Sequence, residues 1–179
     1  MRLFEVAKGW EDKGINLPKR GTANSYGYDL EAAEDITVPS RLSLYTDYIW
    51  AKVGEMLGFN DLGVKEEAKK MLNKTILVPT GLKAKMGHDE VLKVYPRSST
   101  AVKKGLSMPN SVGIIDSDYY SNPDNDGHIM VPFVNNSFFH YTIKKGERIA
   151  QAGFEKFLVT DNDDSTGSRD GGFGSTGDK

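Results

Sequence analysis

The chain has 179 residues, 23 Lys+Arg against 25 Asp+Glu, a net charge of -2 and no cysteine. That length suits one domain with a real core, with or without a modest insertion, and leaves no room for two full-sized domains. Near-neutral charge removes the electrostatic case for a general nucleic-acid binder, and the absence of Cys excludes a disulfide framework, a thiolate zinc site and a Cys nucleophile. The longest apolar run, Ile129 to Val134, is too short to span a bilayer, and Met1 to Gly14 has no apolar core of signal-peptide length. A soluble protein of the cytoplasm is the expectation.

In chain order, the first 43 residues read as extended structure broken by turns, with short strands at Tyr26 to Ala33 and Ile36 to Leu42. From Leu44 to Asn73 the period changes. Tyr45, Ile49, Val53 and Met56 or Leu57 recur at helical spacing, and Gly58 to Gly63 breaks the pattern. A second helical stretch follows, with Val64, Ala68, Met71 and Leu72 on one side and Lys65, Glu66, Glu67, Lys69 and Lys70 on the other. This predicts a helical hairpin inserted between strands, a surface lid or packing element.

After Thr75 the strands return: Ile76 to Val78, Val91 to Tyr95, Val112 to Ile115, Ile129 to Val134, Phe138 to Ile143 and Ile149 to Val159. Turn residues bound each one, among them Pro79-Thr-Gly81, Pro109-Asn110, Asn135-Asn136 and Lys145-Gly146. Many short strands at close intervals predict an all-β barrel or jelly roll carrying one helical insertion. From Asp161 the composition turns to Asp, Ser, Thr and Gly, which reads as a tail.

Four groups of residues carry possible chemistry. Gly172 to Gly177 matches GxGxxG, but the dinucleotide use of that pattern needs a helix after it and the sequence stops two residues later. What remains open is a plain Gly/Ser tail or a phosphate-binding arm, with backbone N–H groups, Ser175, Thr176 and the Arg169 fork on an anion and Phe173 stacked on a base. Arg97-Ser-Ser-Thr100 offers a bidentate cation and several hydroxyls, or simply a capped turn. The strand from Asn110 ends in Asp116, Asp118 and Tyr119, which sets a partly buried carboxylate and a ring at a strand terminus. Alternation from Arg148 puts Gln151 on the same face as Ile149, where a polar amide needs a partner. His88, His128 and His140 are isolated, lack metal-ligand spacing and read as surface or structural.

In this order and spacing the groups resemble the five motifs of the trimeric dUTP nucleotidohydrolases. Tyr26-Gly-Tyr-Asp-Leu30 is similar to the first, Pro96-Arg-Ser-Ser99 to the second and Asn110 to Tyr119 to the third; Gly146 to Gln151 is similar to the fourth and Gly171 to Gly177 to the fifth. The resemblance implies a jelly-roll-like barrel over residues 1–160 and a Gly-rich arm over 161–179. It also implies a homotrimer with sites shared between chains, and conversion of dUTP to dUMP and pyrophosphate with Mg²⁺ on the triphosphate.

By the same resemblance Asp116 orients and deprotonates the water and contacts the sugar 3′-hydroxyl, and Gln151 helps hold that water or the α-phosphate. Arg97, Ser98 and Ser99 engage phosphate oxygens, and Asn110 reads the uracil edge. The Tyr119 ring lies against deoxyribose and bars a 2′-hydroxyl, with Met130 also at the substrate. Asp29 supports the phosphate and metal region from the outer shell. Arg169, Phe173, Gly174, Ser175 and Thr176 close over γ-phosphate and base.

Three departures stand out. Only Asp170 separates Arg169 from Gly171, a loop at 120–126 replaces a tight turn, and the 44–73 insertion has no counterpart in the minimal pattern. Two alternatives follow. A dCTP deaminase of the same fold needs a Glu in the strand after the third motif, and Ile129 to Asn135 holds no carboxylate. A non-catalytic regulatory protein would use the insertion as a partner surface.

Overall fold

The computed structural model describes residues 1–58, 66, 70 and 75–167. In chain order the elements are β1 (Leu3–Val6), β2 (Tyr28–Glu31), β3 (Ile36–Val38), α1 (Arg41–Met56), β4 (Ile76–Pro79), β5 (Leu82–Lys85) and β6 (Glu90–Pro96). They continue with α2 (Ser98–Lys104), β7 (Leu106–Ser107), β8 (Gly113–Asp116), β9 (Met130–Asn135), β10 (Tyr141–Ile143) and β11 (Arg148–Lys156).

Every strand pair is antiparallel. A four-stranded sheet runs β2-β11-β6-β8 and a three-stranded one β4-β9-β7, with β1 on β5 and β3 on β10 as two-stranded pairs. Short β-branched and leucine-bearing strands make this arrangement. Leu30, Val78, Leu92, Val131, Phe133, Ile143 and Ile149 are all fully buried in one shared core. Each such side chain contributes about 1.5–3 kcal/mol by leaving water. The expected all-β architecture with one helical insertion is what these residues build.

Two differences from the sequence reading have clear causes. The strand expected to reach Leu42 stops at Val38, and the helix begins at Arg41 rather than Leu44. Ser40 is the reason: fully buried, it accepts from Ser43 N at 3.0 Å as an N-cap and donates to the Ser137 carbonyl at 2.5 Å. The pair Asn135-Asn136, read as a turn, instead puts Asn135 inside β9 with no exposure. Its amide donates to the Val38 and Phe139 carbonyls and its oxygen accepts from Ser137.

The apolar stripe of α1 faces outward. Tyr45, Ile49, Val53, Met56 and Leu57 are all exposed, and the helix buries no residue. The second helical stretch, 64–72, lies outside the described residues apart from Glu66 and Lys70.

Candidate active site

Two groups of polar residues occupy two ends of the four-stranded sheet. The first lies around β8. A turn at Met108–Val112 is closed by Ser111 N on the Met108 carbonyl at 3.1 Å, and Ser111 takes a positive φ of 60°. It delivers the chain into Gly113, where an added Cβ would come 3.2 Å from the Val94 Cβ. β8 therefore hugs β6 and ends at Asp116, half-buried, before one turn of 3₁₀ helix carries Tyr119 inward. A cavity of about 220 Å³ opens here, lined by Val94, Asn110, Asp116, Tyr119, Met130 and Pro132. Four of the expected substrate or catalytic residues thus share one mixed apolar and polar pocket, the usual makeup of a small-molecule site. Val94 and Pro132 were not anticipated, because apolar strand positions look alike whether they line a core or a cavity.

The second group lies where β2, β11 and the end of β6 meet. Gln151 sits opposite Asp29 on one side and Tyr95 on the other. Its side chain packs over Gly27, at which any Cβ would fall 2.8 Å from the amide oxygen, so the first motif's glycine makes room for the fourth motif's amide. Arg97 precedes α2 and donates to Asp29 Oδ1 at 2.5 Å, while Arg148 donates to Asp29 Oδ2 at 3.1 Å. Ser98 and Ser99 follow in the first turn of α2, Ser98 exposed. Arg148 was missed by sequence reasoning although it lies inside the fourth motif; its carboxylate partner is distant in the chain. A neighbouring basin of about 580 Å³ is lined by Lys19, Arg20, Asp29 and Arg148.

The two groups are held apart. Asp116 pairs across Val91 to Glu155, and Gln151 lies four residues along the same strand from Glu155. Strand geometry puts Asp116 and Gln151 about 14 Å apart along the strands and about 10 Å across them. Within one protomer the β8 pocket and the cationic corner are thus set apart on the sheet.

Among the described residues no group of three His, Cys, Asp or Glu side chains could hold a metal. Both Asp29 oxygens face guanidinium groups. This donor set fits a magnesium ion that arrives on phosphate oxygens and water rather than in a protein cage.

These features coincide with a known family. The dUTPase family model matches residues 45–177. The deoxyuridine 5'-triphosphate nucleotidohydrolase of Lactococcus lactis is 42% identical over 180 residues, covering 99% of this chain and 98% of that one. The chain belongs to the dUTPase family. The Finegoldia magna protein of the same name is 34% identical over 90% of this chain. The crystal structure of dUTPase from Streptococcus mutans superposes with a TM-score of 0.68 at 36% identity, over 89% of this chain and 99% of that one. The dUTPase from phage phi11 of S. aureus shares the fold at 12% identity and a TM-score of 0.62. The fold is therefore the family's jelly-roll-like barrel, and the insertion is a minor part of it.

The loop after Tyr119 is ordered by its own side chains. Asn122 Oδ1 accepts from Asp124 N and Asn125 N, and Asp126 pairs with Lys83 Nζ at 2.8 Å and Lys8 N at 2.8 Å. Arg169, Phe173, Gly174, Ser175 and Thr176 lie outside the described residues. No described helix is long and apolar enough to cross a membrane.

Proposed function

We propose that the chain hydrolyses dUTP to dUMP and pyrophosphate as a homotrimer whose sites are shared between protomers. The observation that carries this reading is the pocket at the end of β8, where Asn110, Asp116, Tyr119 and Met130 surround a space of nucleoside scale. The separation of that pocket from the Arg97–Asp29–Gln151 corner supports shared sites, since a second protomer can supply what the first withholds.

The chemistry follows from the residue types. Asn110 reads the uracil edge, and the buried Tyr119 ring lies on the sugar and leaves no space for a 2′-hydroxyl. Asp116 takes a proton from a water whose oxygen attacks the α-phosphorus; the bond from that phosphorus to the bridging oxygen breaks, and pyrophosphate leaves. Arg97, Ser98 and Ser99 bind phosphate oxygens, Gln151 orients the water or the α-phosphate, and Asp29 holds Arg97 in place. Magnesium, when bound to the triphosphate, neutralises charge on the leaving pyrophosphate. Residues 161–179 form an arm over the site, with Arg169 on the γ-phosphate, Phe173 on the base, and Gly174, Ser175 and Thr176 along the phosphates. The work belongs in the cytoplasm, limiting uracil in DNA and supplying dUMP.

Pyrophosphate release measured across dUTP, UTP, dCTP and dTTP tests the reading, with dUTP expected to be strongly preferred. Asp116→Asn is expected to lower kcat by orders of magnitude with dUTP still bound; a loss of only a few-fold would remove Asp116 as the base. Ammonia from dCTP would favour the deaminase, but β9 carries no carboxylate for it.

A second role has its own support. The outward apolar stripe of α1 suits a protein partner at residues 44–73. Deleting 44–73 is expected to leave turnover and assembly intact; loss of either makes the segment part of the enzyme's own fold.

A further inference from the structure

The loop at 120–126 looks like a polar insertion tolerated beside the sugar pocket, yet its hydrogen bonds run back to one atom of the specificity ring. Tyr119 is 5% exposed, and its hydroxyl donates to the His128 carbonyl at 3.1 Å. The same hydroxyl accepts from Asn125 Nδ2 at 2.7 Å. A donor on one side and an acceptor on the other fix both the position and the proton of that oxygen.

Asn125 has only one serviceable orientation. Its Oδ1 accepts from Asn122 Nδ2 at 2.9 Å and from Gly127 N at 3.1 Å. A flipped amide would set its NH₂ against two donors, so the network itself assigns Nδ2 to Tyr119. Asn122, 6% exposed, also donates to the Tyr119 carbonyl at 2.9 Å, so ring and backbone of Tyr119 are gripped by neighbouring amides. Gly127 closes the loop at φ 78°, where a Cβ would stand 2.6 Å from the Tyr119 carbonyl oxygen. Only glycine permits that approach. Asp126 then anchors the loop to Lys83 of β5 and to Lys8.

We propose that Asn125, braced by Asn122, is a positioning residue for sugar selectivity: its side-chain amide clamps the Tyr119 hydroxyl and so holds the ring against the 2′ position. This rests on the reading above that Tyr119 bars a 2′-hydroxyl. Excluding a single oxygen requires a wall held to within about 0.5 Å, and a ring freed at its far end swings by more. The clamp acts on discrimination between sugars, not on the attack at phosphorus.

The test compares kcat/KM for dUTP and UTP in Asn125→Ala, Tyr119→Phe, their double variant and Tyr119→Ala. Asn125→Ala is expected to lower the dUTP/UTP ratio about tenfold, the worth of one buried hydrogen bond, through a gain on UTP. Tyr119→Phe, which leaves the loop's own bonds in place, is expected to match it, and the double variant to lose no more than either single one. Additive losses, or an unchanged ratio in Asn125→Ala and Tyr119→Phe while Tyr119→Ala erodes it, would overturn the clamp. An unchanged ratio in Tyr119→Ala would instead overturn the reading of the ring. Should Asn125→Ala fail to fold, Tyr119→Phe alone decides, since a full dUTP/UTP ratio without the hydroxyl leaves the amide nothing to clamp.

Discussion

His128 shows how much a single buried ring can carry. It is buried beside Trp10, with ring centroids 5.0 Å apart, and its Nε2 accepts the Gly81 N–H at 3.0 Å. Burial, helped by the nearby Lys13 charge, pushes its pKa down to about 4. The unfolded chain therefore takes up this proton near the ordinary value of about 6.5 while the folded chain refuses it until about 4. Between those values the unfolded state binds more protons, so stability falls as pH falls through the window, by up to about 1.4 kcal/mol per pH unit. Urea unfolding from pH 7 to 4 is expected to show that decline, and His128→Gln to flatten it by keeping an acceptor for Gly81. A slope equal in both proteins would place the acid sensitivity elsewhere. The histidine was readable as structural from its isolation, whereas its tie to Gly81 joins residues 47 apart and leaves no local trace. The place of Asp116 and Tyr119 at a strand terminus was legible because an apolar strand runs straight into them. Asn122 and Asn125 were not, since Asn, Asp and Pro in a loop announce a turn and say nothing of what it grips.

At the scale of elements, α1 marks the boundary between what periodicity can and cannot say. A repeat of apolar residues from Tyr45 to Met56 identified the helix, and Ser40 supplied a cap the sequence reading had passed over as the end of a strand. Periodicity shows that one face is apolar but not what covers it, and in this protomer nothing described does. The cap is open to direct measurement. Ser40→Ala removes the bond to Ser43 N and leaves the Ser137 carbonyl without its donor, an expected loss of about 1–2 kcal/mol in urea unfolding. A loss below a few tenths would mean that β3 and β10 alone seat the helix. Eight of the eleven described strands were legible in place, with ends displaced by up to four residues, whereas β1, β5 and β7, short and without a clear apolar alternation, were not read as strands.

For the whole molecule, the decisive feature is that the pocket at the end of β8 and the cationic corner stand at opposite reaches of one sheet. Mixing tests whether neighbours complete each other. Asp116→Asn and Gln151→Ala proteins, each expected to be inactive alone, are expected to regain activity when unfolded and refolded together, because about a quarter of randomly assembled sites that draw the two residues from different chains pair an intact Asp116 with an intact Gln151. A mixture as inactive as its parts would confine the whole site to one chain. The resemblance implied shared sites, but the distance between the two groups follows from the register of β8, β6 and β11, which no local motif spells out.

The tether of Asp126 has a practical reach. Its two anchors, the Lys8 amide and the Lys83 ammonium, follow and lie on the pair formed by β1 and β5. Trimming the first eight residues would cut one mooring and strip the strand beside the other. On the clamp proposed above, a choice made at the amino terminus would then be read as a lower dUTP/UTP ratio.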